Sequence, residues 1–509
     1  MTPAPGRSAG AVLMRFPWVA QIVLAAALGV FAAFGQAPYD QPAVLLIALA
    51  GAFHLWRIQT RPRAAAVMGL AFGCGYFALA LIWIVEPFQV DAARHGWMAP
   101  FAVALLSLGL ALFWAAAFWA ARLLSHAAFG LVLTWTAAEM ARAYVFTGFP
   151  WASPAQATIN GPLSQVLALG GPHAANFVLL LCAWVVSLSG RWPVKAGQAV
   201  VLAAVLWSLH APLQRPAAVL SDTWVRLIQP NAAQHLKWQP EMAEVFFTRQ
   251  LALTAAPAQS AAQTPDLVVW PETAIPWRLE TAGPALVEIG RAGNGAPVVL
   301  GALRAEGVHL RNALAVIDPA GAPEAIYDKH HLVPFGEYMP FAGLANRLGL
   351  SALVAQAGIF SSGPGPELLD FGPLGTALPL ICYEAVFAHG VNAAPARPDF
   401  LLQITNDAWF GQYAGPQQHL AQARMRAIEQ GLPLMRAANT GISAMIDPAG
   451  RIISSLPLGQ AGFIDAPLPR PDPATPYSWF GDVPVLVFLL VALGFIRLRQ
   501  TTVRWSYSD

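Results

Sequence analysis

Three residues in the polar part of the chain have the side chains of a covalent catalytic centre. Cys382 and Glu272 each follow an apolar run typical of a buried strand, and Lys329 precedes two histidines. A free thiol has a pKa of about 8.5 and needs a base at neutral pH, for which Glu272 is the candidate. Lys329 is the candidate to stabilise the negative charge on a carbonyl oxygen under attack. The pattern therefore predicts acyl transfer through a thiol.

The composition predicts that these residues belong to an integral membrane protein. The 509 residues are 56% hydrophobic and 11% charged, whereas an average soluble domain is about 25% charged. A net charge of +2 without a basic run argues against nucleic-acid binding. His330 and His331 lack a third ligand at workable spacing, so we expect no metal and no other cofactor.

Eight apolar segments are candidate membrane spans, since a helix needs about 20 apolar residues to cross a bilayer. They lie near residues 16–35, 42–56, 64–86, 97–121, 127–146, 163–189, 196–212 and 482–497. Most Lys and Arg residues fall in alternate loops, and the opposite loops hold only Arg94 and Arg142. By the positive-inside rule both termini are cytoplasmic, and the long segment after the seventh span is outside.

The segment after the seventh span is predicted to be an α/β domain, because short β-rich runs alternate with helical patterns. We therefore divide the chain into seven spans at 1–212, an α/β domain at 213–480, and an eighth span with its tail at 481–509. The β-rich runs are Trp224–Gln229, Asp266–Trp270, Pro297–Ala302, Ala313–Asp318, Ala377–Cys382 and Phe400–Thr405, and the helical patterns include Gln239–Leu253 and Gln417–Gln430.

Cys382 is the only cysteine of this outer domain, because Cys74 and Cys182 fall inside apolar spans. In an oxidising compartment a structural cysteine normally has a disulfide partner. A lone buried cysteine is, however, more often an inert small hydrophobe. The thiol therefore indicates catalysis only in combination with Glu272 and Lys329.

The order of the motifs resembles that of the nitrilase (carbon–nitrogen hydrolase) superfamily. Trp270–Glu272, Lys329–Glu337 and Cys382–Glu384 carry this resemblance. Other motifs narrow it to the membrane branch of the superfamily, the apolipoprotein N-acyltransferases. These motifs are Gly148–Trp151, Leu236–Trp238, Asn406–Gly411, Gly415–His419 and Arg436–Gly441.

The resemblance implies an αββα sandwich joined to about eight transmembrane helices. It also implies that Glu272 is the general base, Lys329 the oxyanion partner and Cys382 the acyl-accepting nucleophile. Glu337 matches an auxiliary carboxylate. The residues that match positions needed near the active site are Trp238, Tyr383 and Glu384. Outside these positions, His419 either contacts a lipid head group or has a structural role.

The function implied by the resemblance is a two-step transfer. An acyl chain of a phospholipid moves to the cysteine as a thioester, and then to the N-terminal amine of the diacylglyceryl-cysteine of an apolipoprotein. The expected location is the bacterial inner membrane, as a multi-pass monomer with its catalytic domain on the periplasmic side.

Two other functions are compatible with parts of the pattern. A membrane-tethered amidase or nitrilase would use the same three residues with water as the acceptor and a small amide as the substrate. Seven spans before the catalytic domain favour a substrate in the bilayer instead. A transporter with a ligand-binding outer domain is disfavoured, because the spans hold few ionisable residues and transport paths usually need them.

Overall fold

The computed structural model describes residues 17–124, 127–188, 192–210, 215–259, 264–347 and 360–505. These residues form two compact units. One unit contains the described residues up to Arg215 together with those from Pro476 onward, and the other spans Pro216–Thr475. The predicted boundary between residues 212 and 213 lies among residues 211–214, outside the described residues.

Helices form most of the first unit and also flank the sheets of the second. In chain order they are α1 (Trp18–Ala33), α2 (Pro42–Ile58), α3 (Pro62–Ala80), α4 (Ala92–His95), α5 (Ala99–Leu124), α6 (Phe129–Tyr144), α7 (Val166–Val186), α8 (Trp192–His210), α9 (Pro240–Ala255), α10 (Gly283–Ala292), α11 (Ala342–Arg347), α12 (Ala388–Asn392), α13 (Gly415–Gln430), α14 (Pro476–Phe480) and α15 (Val483–Trp505). Helices α1–α8, α14 and α15 belong to the first unit.

The first unit has the apolar helices of a membrane domain. Each of the eight predicted spans lies largely on a helix. Among the residues that the structure describes, three helical stretches are long and apolar enough to cross a membrane. These stretches are Pro62–Ala80, Ala92–Leu124 and Pro162–Val186. The count of eight spans therefore stays a prediction.

A buried ion pair fixes the loop that follows α6. Arg142 Nη2 lies 2.7 Å from Glu139 Oε2, and both side chains are buried. Arg142 also donates hydrogen bonds to the main-chain carbonyls of Phe149 and Trp151. Both carbonyls belong to the Gly148–Trp151 motif, so a charged pair inside the helical unit holds this loop in place.

The second unit contains the strands of the described chain, which form two sheets of six. The strands are β1 (Leu220–Gln229), β2 (Leu267–Val269), β3 (Val298–Glu306), β4 (His309–Ile317), β5 (Pro323–Asp328), β6 (Leu369–Asp370), β7 (Thr376–Ile381), β8 (Phe400–Thr405), β9 (Leu434–Ala438), β10 (Ser443–Ile446), β11 (Ile452–Leu456) and β12 (Gly462–Pro469). The strand orders are β12-β1-β2-β3-β4-β5 and β11-β10-β9-β8-β7-β6. The first and last strands pair antiparallel, with Leu220 opposite Pro469.

The two sheets pack face to face around an apolar core. Val225 and Leu314 of one sheet belong to the same buried cluster as Leu402 and Met435 of the other. Helices α9 and α10 cover the outer face of the first sheet, and α13 covers the outer face of the second. The predicted α/β domain is thus confirmed, and its layers run helix, sheet, sheet, helix.

Parallel strands lie in the middle of each sheet. Strands β1, β2 and β3 run parallel in one sheet, and β7, β8 and β9 run parallel in the other. Carboxyl ends of parallel neighbours meet at one edge of a sheet, where α/β proteins place their functional groups. Glu272 follows the end of β2, and Cys382 follows the end of β7.

Candidate active site

Cys382 begins a tight turn immediately after β7. It is the first residue of a 3₁₀ helix at Cys382–Val386, and its φ of +52° lies in the left-handed region. A residue with a Cβ adopts this region only where its surroundings hold it there. The side chain is 5% exposed, and the Thr405 side chain hydrogen bonds to it. The chain therefore presents the thiol from a constrained and nearly dry position.

Glu272 is held by hydrogen bonds to both carboxylate oxygens. Its Oε2 accepts from the backbone N–H of Asn406 at 2.9 Å, and its Oε1 accepts from Asn312 Nδ2 at 2.7 Å. Strand β3 runs directly beside its backbone. A Cβ at Gly301 would lie 2.6 Å from Glu272 Cα, so only glycine fits there. Hydrogen bonds thus fix the carboxylate of Glu272, and close packing against β3 fixes its main chain.

Lys329 follows β5 and lies between two carboxylates. Its Nζ is 2.8 Å from Glu337 Oε1 and 3.4 Å from Glu272 Oε1, and the side chain is 1% exposed. Glu337 is itself fixed, since its Oε2 accepts from the backbone N–H of Val333 at 2.7 Å. Asn312 Nδ2 also donates to Glu337 Oε1 at 3.1 Å. One amide therefore joins both carboxylates that flank the cation.

The charges of this cluster act on the pKa values of the cation and the thiol. Burial by itself would lower the pKa of Lys329, but Glu337 and Glu272 raise it above its ordinary value. Burial, followed by the charge of Glu272, raises the pKa of Cys382 above its ordinary value, although Lys329 opposes this shift. At neutral pH the cluster therefore holds a protonated thiol and a charged lysine. Lys329 favours the thiolate, but burial of the sulfur and the charge of Glu272 outweigh this effect.

This arrangement is suited to nucleophilic attack that is coupled to proton transfer. In such a reaction the thiol can serve as the nucleophile, the Glu272 carboxylate can accept its proton, and the Lys329 ammonium supplies a fixed positive charge. The structure thus brings Glu272, Lys329 and Cys382 into one site, with Glu337 as a fourth member and the third charged group.

The other predicted residues occupy two kinds of position. Trp238 is 46% exposed, and its ring centroid lies 5.3 Å from Lys237 Nζ. Tyr383 is buried, with its ring 5.7 Å from that of His331 and 4.9 Å from that of Phe387. Trp238 is therefore half-exposed, whereas Tyr383, inside the turn Cys382–Val386, is buried against two aromatic rings.

Glu384 joins the start of the turn Cys382–Val386 to the segment that carries Lys329. Its Oε2 accepts from the backbone N–H of Ile381 at 2.7 Å. Its Oε1 accepts from the backbone N–H groups of His330 and His331 and from the hydroxyl of Tyr327. Burial would raise the pKa of Glu384, but the hydrogen bonding and charge of His330 lower it. Glu384 therefore links the two segments as a buried carboxylate.

Two residues of the site were not predicted from the sequence. Asn312 is one of three polar residues in β4, and no pattern of neighbouring residues distinguishes it as part of a site. Lys237 is buried, and its Nζ donates to the backbone carbonyl of Glu272 at 3.3 Å and to Thr273 Oγ1 at 2.9 Å. Burial lowers its pKa to about 8, against the opposing charge of Glu272. Together with Trp238, Lys237 lines a small pocket beside the main chain of Glu272.

His419 lies inside the domain and has no exposed surface. Its Nε2 is 3.1 Å from the main-chain carbonyl of Cys382, and its Nδ1 is 2.9 Å from Asp407 Oδ1. Arg436 Nη2 binds the other oxygen of Asp407 at 2.5 Å. Burial would raise the pKa of Asp407, but Arg436 and His419 lower it to about 2. Of the two predicted roles for His419, contact with a lipid head group is excluded by its burial.

Family models match both units of the chain. Residues 28–185 match the model described as apolipoprotein N-acyltransferase N-terminal domain. Residues 225–473 match the model described as carbon–nitrogen hydrolase.

Full-length relatives share more than a third of their residues with this chain. A protein named apolipoprotein N-acyltransferase from Rhodopseudomonas palustris is 34% identical over 97% of this chain and 98% of its own length. Proteins of the same name from Caulobacter vibrioides and Brucella melitensis are 38% and 37% identical, over 95% and 96% of this chain and 95% and 97% of their own lengths.

Solved structures of carbon–nitrogen hydrolases align with about half of the chain. A superfamily protein from Xanthomonas campestris is 19% identical, covers 49% of this chain and 91% of its own, and has a TM-score of 0.36. An amidase from Nesterenkonia sp. AN1 is 18% identical, covers 53% of this chain and 98% of its own, and has a TM-score of 0.37.

Proposed function

Since the chain belongs to the apolipoprotein N-acyltransferase family, we propose that it completes lipoprotein maturation by transferring an acyl chain from a phospholipid to an apolipoprotein. It is an acyltransferase, and the acyl chain passes through a thioester on Cys382. The acceptor is the N-terminal amine of a diacylglyceryl-cysteine. The enzyme works as a monomer and uses no cofactor.

One observation favours the acyltransferase over the alternative function, a membrane-tethered amidase. The similarity to named acyltransferases extends over nearly the whole chain, including the helical unit, and is not limited to the carbon–nitrogen hydrolase domain. A small soluble amide gives no reason to retain a helical unit of this size. A donor and an acceptor that both carry lipid chains explain why the helical unit is retained.

In the first half-reaction the Cys382 sulfur attacks the ester carbonyl of the phospholipid. Because the resting thiol is protonated, its proton moves to Glu272 as the carbon–sulfur bond forms. The carbonyl oxygen becomes an oxyanion. When the tetrahedral intermediate collapses, the carbon–oxygen bond breaks and Glu272 returns the proton to the lysophospholipid alcohol. The enzyme is left as the thioester.

Lys329 stabilises the oxyanion in both half-reactions. Its raised pKa keeps the ammonium charged while the proton on Glu272 comes and goes. Glu337, at 2.8 Å, holds the ammonium in place and supplies one compensating negative charge. A fixed cation in a site that excludes water stabilises developing charge more strongly than it would in bulk solvent.

In the second half-reaction the neutral N-terminal amine of the apolipoprotein attacks the thioester. Glu272 accepts the proton of the amine as the carbon–nitrogen bond forms, and the carbon–sulfur bond then breaks. Glu272 gives this proton to the Cys382 sulfur as the carbon–sulfur bond breaks, so the thiol and the carboxylate are both restored and the product leaves as an amide. The lysophospholipid leaves before the amine reacts, so the kinetics are ping-pong. Glu272 acts as the general acid and base in both steps.

The remaining predicted residues support these steps from around the triad. Glu384 holds the nucleophile turn against the segment of Lys329 through three backbone N–H groups. Tyr383, a residue of that turn, packs its ring against the rings of His331 and Phe387. Trp238 is the exposed aromatic side chain beside the pocket at Glu272, and we assign it to contact with the lipid substrate.

We expect the direct test to follow one acyl chain through the reaction. The purified enzyme is mixed with a phospholipid that carries a fluorescent acyl chain and a synthetic diacylated lipopeptide with a free N-terminal amine. The label should appear on the peptide as an amide. Without peptide, the protein should gain the mass of one acyl chain, and neutral hydroxylamine should remove it as it removes thioesters.

Each alternative predicts a different fate for the label, and a lipopeptide with an acetylated N-terminus serves as the matched control acceptor. Release of labelled fatty acid at one rate with either peptide indicates a hydrolase. An unchanged phospholipid indicates that the outer domain only binds a ligand. Transfer at full rate with both substrates bound together, and with no acyl-enzyme in single-turnover sampling, replaces the two-step mechanism by direct transfer.

The location follows from the charge of the loops. We propose that the chain crosses the bacterial inner membrane eight times and that residues 213–480 lie in the periplasm, because Lys and Arg residues concentrate in alternate loops. A fluorescent reporter that matures only in the cytoplasm should therefore be dark when fused after Leu213. The same reporter fused after Asp509 should be bright. Fluorescence from the fusion at Leu213 would reverse the orientation.

A further inference from the structure

A buried hydrogen-bond chain ends on the main-chain carbonyl of the nucleophile. His419 Nε2 lies 3.1 Å from Cys382 O, and no part of the imidazole is exposed. A proton on Nε2 lets His419 donate to this carbonyl, while its Nδ1 lies 2.9 Å from Asp407 Oδ1 and 3.3 Å from Arg436 Nη2. Arg436 is in turn fixed by Asp407 at 2.5 Å.

The carbonyl that His419 contacts belongs to a residue with an unfavourable backbone conformation. Cys382 has a φ of +52°, a region that residues with a Cβ avoid. Among the residues that the structure describes, Gln403 also reaches this carbonyl, with its Nε2 at 3.4 Å. Loss of His419 removes one side-chain hydrogen bond from the peptide after Cys382, and rotation of Cys382 toward the favoured region moves the sulfur away from Glu272 and Lys329.

Helix α13 supports the other end of the same turn. Arg426 lies two turns after His419 on this helix and donates to the carbonyl of Val386 at 2.9 Å. Glu429 pairs with Arg426 at 2.6 Å. The turn from Cys382 to Val386 is thus held at both ends by buried side chains of one helix, and His419 is the one that reaches the reacting residue.

We propose that His419, held by Arg436 and Asp407, is a positioning residue that keeps Cys382 in the left-handed conformation from which its thiol attacks the acyl donor. This inference rests on the proposed function, because the step that it affects is acylation of Cys382. If His419 only fills space, any side chain of similar volume should replace it. If His419 is a positioning residue, its replacement must have a hydrogen-bond donor at the position of Nε2.

Two amide side chains of different length separate these roles. In His419→Gln the amide nitrogen takes the place of Nε2 and still reaches the Cys382 carbonyl. In His419→Asn the amide takes the place of Nδ1, so it contacts Arg436 and Asp407 but not Cys382. We expect His419→Asn to slow acylation by about 100-fold, the size of effect that small misplacements of reacting groups produce, and His419→Gln to remain within about tenfold of the wild type.

The measurement is the single-turnover rate of acyl-enzyme formation on Cys382, by intact-protein mass, at several concentrations of a phosphatidylglycerol or phosphatidylethanolamine donor in detergent. The maximal rate should fall in His419→Asn, while the donor concentration that gives half of that rate should not change. Thermal unfolding is recorded for every variant. His309→Asn and His309→Gln, at an exposed histidine on β4, are the matched controls and should acylate like the wild type.

The outcomes separate this inference from the proposed function. If the wild type forms no acyl-enzyme, the proposed function fails first. If the wild type is acylated but the Asn and Gln variants have equal rates, His419 is not a positioning donor. The same conclusion follows if both variants unfold, since His419 then serves the stability of the domain.

Discussion

Replacing Cys382 with alanine is expected to abolish acyl transfer, with a loss of at least about 10⁴-fold, because no other group in the site can form the covalent intermediate. Cys382→Ser should also fail. The hydroxyl has a much higher pKa than the thiol, and Glu272 is too weak a base to take its proton in the same geometry. Both variants should fold, since the side chain is small and the turn is held through its main chain.

Two other cysteines of the chain provide the matched controls for this experiment. Cys74 and Cys182 lie on α3 and α7, so Cys74→Ala and Cys182→Ala should change packing only and retain transfer. Purified variants are compared by transfer of a fluorescent acyl chain to a diacylated lipopeptide and by intact mass. Full activity of Cys382→Ala or Cys382→Ser would remove the thioester from the mechanism.

Replacing Glu272 with glutamine is expected to slow acylation of Cys382 by about 10²–10⁴-fold, the usual contribution of a general base. Burial and the neighbouring charges keep the resting thiol protonated, so attack requires a proton acceptor. The amide oxygen of glutamine can accept from only one of the two donors, Asn312 Nδ2 or the backbone N–H of Asn406, so thermal unfolding is recorded beside the rate to show that the variant is folded while it loses the base.

The pH dependence of Glu272→Gln provides a second readout. The raised pKa of Cys382 means that the thiolate fraction grows about tenfold for each pH unit below that pKa. The residual acylation rate should therefore rise with pH toward alkaline values, whereas Glu241→Gln, at an exposed glutamate on α9, should behave like the wild type at each pH. A Glu272→Gln variant with a wild-type rate at neutral pH would assign the base to another group.

Much of the catalytic domain could be predicted from local sequence patterns. Apolar runs before Glu272 and Cys382 are strands β2 and β7, and parallel strands end at a common edge. Strand ends therefore predicted that each residue lies at the carboxyl edge of its own sheet, whereas the meeting of the two residues depends on how the two sheets pack. The helical patterns at Gln239–Leu253 and Gln417–Gln430 lie on α9 and α13.

Other features depend on contacts that no local pattern records. Strand β9 contains the fully buried Arg436, which is compatible with a strand only because Asp407 pairs with it across the fold. Asn312 joins two carboxylates that are 40 and 25 residues away from it in the chain. The protonation of Cys382 is likewise set by burial, and burial is known only once the sheets have packed.

The pairing of β1 with β12 has a consequence for how such a protein can arise. Leu220 and Pro469 face each other in the ladder, and the backbone N–H of Arg470 donates to the carbonyl of Val219 at 2.8 Å. The domain therefore begins and ends at the same place. A complete domain with adjacent ends can be inserted into a single loop of a host chain without altering the segments on either side. An ancestral soluble hydrolase could have entered a helical membrane protein by one such insertion, acquiring lipid substrates without rebuilding its catalytic residues.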